Sequence, residues 1–208
     1  GSAVAWNMPN RLNFLTIVPM FHCNGWCYPW TIAMLNGRTI CLRNIDVKKI
    51  FELIDKYNIT HFGGAPIVLN MITGAPETDR KKLKQKVHVL TAGAPPPSII
   101  FKKMKNLGFE VMHVYGLTET YGHVTQCAWN DEWNELDEDK QNEIKARQGV
   151  RYPNTEGVTV MDPETMKEVP KDGKTIGEIM IRGNVVMKGY FKDKDATEKA
   201  MAGGWFHS

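Results

Sequence analysis

Tyr115-Gly116-Leu117-Thr118-Glu119 sets an aromatic face, a turn-permitting glycine, a hydroxyl and a carboxylate side by side, directly after an apolar run. Such a set can stack a base, touch a phosphate and hold a magnesium ion through oxygen. Taken alone it is equally a polar turn at a strand end. A second segment, Thr91-Ala-Gly-Ala-Pro-Pro-Pro97, also follows an apolar run and suits a loop that enters the first turn of a helix.

The elements that must position these residues are legible around them. Val87 to Leu90 reads as a strand, Ile100, Met104 and Leu107 as one helix face ended by Gly108, and Phe109 to Val114 as the next strand. Leu12 to Pro19 reads as a buried strand. Asp46 is placed to cap a helix carrying Ile50, Leu53, Ile54 and Tyr57, with Asn58 as its stop. Short β-branched runs alternating with helical patterns predict an α/β fold, a parallel sheet flanked by helices, over residues 3–150. In such sheets ligands bind where strands end. From about residue 151 to 208 the pattern becomes turn-rich and β-like, at Gly157 to Met161 and Gly177 to Arg182, and predicts a smaller, mostly β subdomain. Asp131 to Glu143 reads as an exposed acidic helical insertion with Glu143 and Arg147 paired one turn apart, and Arg80 to Lys86 as a solvated basic face.

With 26 basic and 23 acidic side chains well mixed, the net charge of +3 gives no electrostatic case for nucleic acid. The four cysteines, Cys23, Cys27, Cys41 and Cys127, lack the paired short spacings of a zinc site. Their reading as reduced thiols, with no membrane-length apolar run and no signal-type N-terminus, leads to an expected cytoplasmic location. Gly1-Ser2 reads as a cloning scar, and the sequence reads as an internal piece of a longer protein.

Four segments, in order, resemble the adenylate-forming (AMP-binding) superfamily, and within it the acyl-CoA ligases of medium-chain fatty or aromatic acids. They are Pro19-Met-Phe-His-Cys-Asn-Gly25, Thr91-Ala-Gly-Ala-Pro95, Tyr115-Gly-Leu-Thr-Glu-Thr120, and Gly177-Glu-Ile-Met-Ile-Arg-Gly183 continuing to Gly189-Tyr190. The resemblance implies ATP, AMP, magnesium and coenzyme A as cofactors or cosubstrates, and a fatty or aromatic carboxylic acid as substrate. It implies that Gly93, Ala94 and Pro95 form a wall against adenine, that Tyr115 stacks on its other face beside Gly116, that Thr118 donates to the α-phosphate and that Glu119 holds magnesium. It places His22 near the reacting carboxylate, where it steers the acid and shields the acyl-adenylate from water. Phe21-His-Cys-Asn24 lacks the aspartate with which amino-acid-activating relatives hold an ammonium, so a neutral-tailed acid fits better. Trp26, His61 to Gly64 and Tyr121 to His123 are candidates for an acyl pocket, whereas Gly183, Gly189 and Tyr190 are expected only to shape turns.

The sequence contains no Ser/Thr/Gly-rich loop ending in lysine, and it stops before the ribose-binding aspartate and the lid lysine that the resemblance calls for. The chain by itself is therefore expected not to catalyse. An adenylating enzyme with another acceptor and a non-catalytic nucleotide- or acyl-binding module stand as the alternatives.

Overall fold

The computed structural model describes the backbone of residues 1–208 and every side chain except those at 23, 24 and 26. The first sheet contains β1 (Asn13–Thr16), β2 (Arg38–Cys41), β3 (His61–Gly63), β4 (Val87–Thr91), β5 (Phe109–Leu117), β6 (Gly122–Gln126) and β7 (Val150–Arg151), in the order β2-β1-β3-β4-β5-β6-β7. The strands from β1 to β5 run parallel, and β6 and β7 are added antiparallel. A second, antiparallel sheet holds β8 (Gly157–Asp162), β9 (Lys167–Glu168), β10 (Glu178–Arg182) and β11 (Phe206–His207) in the order β11-β10-β8-β9. The helices are α1 (Ser2–Ala5), α2 (Cys23–Met34), α3 (Val47–Tyr57), α4 (Pro66–Gly74), α5 (Ser98–Asn106), α6 (Glu138–Lys145) and α7 (Lys194–Ala200).

Strands buried on both faces explain the uninterrupted apolar runs of the sequence. On one face, Ile50, Ile54, Leu69, Ile72 and Met104 of α3, α4 and α5 cover Leu15, Phe62 and Val89. On the other, Trp6, Tyr28 and Ile32 cover Phe14, Leu90 and Val114. A third cluster joins the two sheets, with Val124, Ile181 and Phe206 packed beside Tyr115 and Leu117.

Local signals act where they were expected. Asp46 accepts a hydrogen bond from the Lys49 amide at 2.9 Å, and Asn58 ends α3 in the left-handed region at φ 49°. Asp46→Ala should lower stability by about 1 kcal/mol, read as a shift of the urea midpoint without a change in slope.

The acidic insertion forms α6 but is docked rather than free, since Asn142 and Ile144 are buried and Lys102 meets Glu138 at 2.9 Å and Asp139 at 3.3 Å. The expected pairing of Glu143 with Arg147 is replaced by one with Lys140 at 2.8 Å, because α6 ends at Lys145 and takes Arg147 off the helical register.

Candidate active site

Parallel strands deliver their following loops to one edge of the sheet. At this carboxyl edge, β1 leads to His22, β3 to Gly64, β4 to the segment 92–97, and β5 to Tyr115, Gly116 and the single 3-10 turn Thr118–Thr120. The sequence-predicted residues thus share one edge, carried by different strands.

After β4, Gly93 adopts φ +93°, with no atom within 4 Å of where a Cβ would stand. Gly93, Ala94 and Pro95 are all exposed, giving an open, low-relief wall of backbone.

The β5 segment is held by its own hydrogen bonds. The Thr120 hydroxyl accepts from the Leu117 amide at 3.0 Å and donates to the Gly122 carbonyl at 2.8 Å, and Tyr121 turns the chain at φ 50°. A side chain on Gly116 would run into the Gly122 carbonyl, so this glycine serves the close approach of β5 and β6. Thr118 is exposed and Glu119 half-buried beside it. The half-buried Tyr115 donates its phenol proton to Ser208 Oγ at 3.1 Å.

His22 starts from β1, three strand steps from β5, on the order of 14 Å by sheet spacing. Helix α2 narrows that separation. Cys27 Sγ donates to the Tyr121 carbonyl at 3.1 Å, which fastens the first turns of α2 to the turn just beyond Glu119. His22 is the exposed N-cap residue of α2, its amide donating to the Pro19 carbonyl at 2.9 Å. Trp26 lies outside the described residues. His123 is buried, and burial pushes its imidazole down to about 4. Tyr28 and Tyr152 flank its ring at 6.3 and 6.2 Å between centroids. His61 stands apart from this edge, stacked on His88 at 4.9 Å near the starts of β3 and β4.

One site residue escaped the sequence reading. Tyr190, expected only to shape a turn, donates its phenol proton to Glu119 Oε1 at 3.1 Å. The two lie 71 positions apart, and no local pattern in either segment announces the contact.

A cavity of about 900 Å³ opens at the opposite, amino-terminal edge of the same strands, lined by His61, His88, Glu110, Lys105 and Lys145 among others. It contains none of the motif residues, so convergence of chemistry, and not size, identifies the candidate site. No group of three or more His, Cys, Asp or Glu suited to a metal occurs among the described residues. A lone carboxylate beside a hydroxyl fits magnesium carried largely by phosphates and water, which is how that ion commonly binds.

A family model described as AMP-binding enzyme matches residues 2–191. The chain is 53% identical over 205 residues to the acetate/butyrate–CoA ligase AAE7, peroxisomal, of Arabidopsis thaliana, covering 98% of this chain and 36% of that protein. It is 52% identical over 209 residues to the acetate–CoA ligase CCL3 of Humulus lupulus, covering 100% of this chain and 37% of that one. The chain thus spans about a third of the length of these curated relatives. Among solved structures, the N-terminal domain of FACL13 from Mycobacterium tuberculosis superposes with a TM-score of 0.79 at 25% identity, over 99% of this chain and 50% of that one. The o-succinylbenzoate coenzyme A synthetase of Bacillus subtilis, solved with ATP and magnesium, matches in fold at TM-score 0.79 and 20% identity, over 100% of this chain and 40% of that one.

The expected cytoplasmic location is overturned by relatives named as peroxisomal, AAE7 and the probable acyl-activating enzymes 5 and 12 of Arabidopsis thaliana. Cysteine content and spacing do not distinguish the two compartments. Taken with the strand-end constellation, the match over residues 2–191 shows that the chain belongs to the AMP-binding enzyme family.

Proposed function

We propose that the protein carrying this chain is an ATP-dependent acyl-CoA ligase for short carboxylic acids. The carboxylate attacks the α-phosphorus of ATP to give acyl-adenylate and pyrophosphate, and the thiol of coenzyme A then displaces AMP. The observation that carries this reading is the placement of Gly93 to Pro95 and Tyr115 to Glu119 at adjacent strand ends inside the family match. The wall at Gly93, Ala94 and Pro95 takes one face of adenine and Tyr115 the other. Thr118 would donate to the α-phosphate, and Glu119 would hold magnesium. When bound, magnesium supplies neutralisation of phosphate charge. His22 orients the acid at the mouth of α2. Residues 3–150 and 151–208 form two units that meet at Glu119.

Short acids replace the fatty or aromatic ones of the sequence reading because the relatives' names specify acetate, butyrate and, at 46% identity, 2-methylpropanoate. Bulky Tyr28, His123 and Tyr152 fill the space behind the Tyr121 turn, which favours the same choice. The test is ATP–pyrophosphate exchange by a protein of the relatives' length containing this chain. Exchange dependent on acetate, butyrate or 2-methylpropanoate is expected. Exchange with long-chain or aromatic acids alone would remove the short-acid assignment, and none with any acid would remove the ligase reading.

A further inference from the structure

The segment between β10 and α7 crosses the candidate site as a strap. The Met187 amide donates to the Glu119 carbonyl at 2.7 Å, and Val185, Val186 and Met187 pack onto the cluster that joins the two sheets. Beyond Gly189, the Tyr190 amide donates to Thr197 Oγ1 at 2.8 Å, and that hydroxyl donates to the Asp193 carbonyl at 2.7 Å. Asp193 in turn caps α7 through the Ala196 amide at 3.0 Å. The Tyr190 backbone is thereby fixed, while its side chain remains 39% exposed. A ring so exposed contributes little to the core. Its defined polar contact is with Glu119.

We propose that Tyr190 is a positioning residue for Glu119, a phenol from the second sheet that holds Oε1 and presents Oε2 to a divalent cation accompanying the nucleotide. This rests on the nucleotide-site reading above. Carboxylates that bind cations need their second oxygen restrained, because free rotation about the last side-chain bond spreads the ligand over many geometries. The contact also gives the second sheet a direct hold on the metal ligand, so the arrangement of the two units governs cation affinity.

The test uses Mn²⁺ as the probe, its ATP complex titrated onto a protein of the relatives' length containing this chain and onto its Tyr190→Phe form, followed by electron paramagnetic resonance. The variant is expected to bind Mn²⁺ about five- to tenfold more weakly, with ATP affinity in the absence of metal unchanged. Equal Mn²⁺ affinity in Tyr190→Phe overturns the inference while leaving the nucleotide site standing. Absence of any Mn²⁺–ATP binding to the unsubstituted protein of the relatives' length removes the nucleotide site and the inference together.

Discussion

Truncation of Phe62 to alanine is expected to lower stability by about 3–5 kcal/mol, a large share of the 5–15 kcal/mol typical of a whole domain. β3 is only three residues long and lies between β1 and β4, with Phe62 registered against Leu15 on one side and Val89 on the other. The ring is fully buried and meets Phe109 edge-on at 5.9 Å, beneath α3 and α4. Surroundings of a fully buried ring relax only partly, so a cavity persists. The melting temperature should fall by about 6–20 °C, at roughly 2–4 °C per kcal/mol for a chain of this size. Ile67→Ala, at a position 64% exposed on α4, is the control and should stay within about 0.5 kcal/mol. Scanning calorimetry that found Phe62→Ala melting with the parent would show that β3 is not central to the fold. Because β3 leads into Gly64, whose amide donates to the Leu90 carbonyl at 2.9 Å, the same substitution should loosen the carboxyl edge.

Acid should unfold the protein well before its carboxylates are exhausted. Burial pushes both His61 and His123 down to about 4, with the facing His88 adding to the effect at His61. The same direction holds for His88 and His113, where burial is again the largest cause. In the unfolded chain these groups titrate near 6.5, so below that pH the unfolded state binds more protons than the native state. Stability is therefore fully present above about pH 6.5, declines as pH falls, and levels off only below about pH 4. Each of His61 and His123 contributes on the order of 3 kcal/mol to that loss. Urea midpoints measured between pH 7.5 and 4.5 should fall steeply, and His61→Asn should flatten the slope. A midpoint independent of pH across this range would show that both imidazoles are protonated without penalty. Asp55, Asp162 and Asp172, each held below the ordinary carboxylate range by hydrogen bonds, add a further loss at still lower pH.

What could be read from the sequence was what local chemistry determines. Asp46 and Asn58 bound α3 because capping involves residues three or four apart, and β1, β4 and β5 announced themselves because burial on both faces leaves apolar runs, whereas β2, largely exposed, and the three-residue β3 did not. The site segments were legible for a related reason, since a parallel sheet sends every following loop to one edge. The antiparallel addition of β6 and β7 was not, because Gly122 to Gln126 mixes His123 and Thr125 into a short strand and hides its apolar signal. Tyr190 was missed because its partner arrives by packing of two sheets, a long-range event with no periodicity. Arg147 was mispaired because the end of α6 is set by its docking against α5 rather than by charge spacing.

The central claim, that nucleotide binds at the carboxyl edge between β4 and β5, is tested most directly by titrating the isotope-labelled chain with AMP and following amide resonances. Shifts are expected to centre on Gly93, Ala94, Tyr115, Gly116, Thr118 and Glu119. Shifts centred instead on His61, His88 and Glu110 at the opposite edge, or no shifts at saturating AMP, would contradict it.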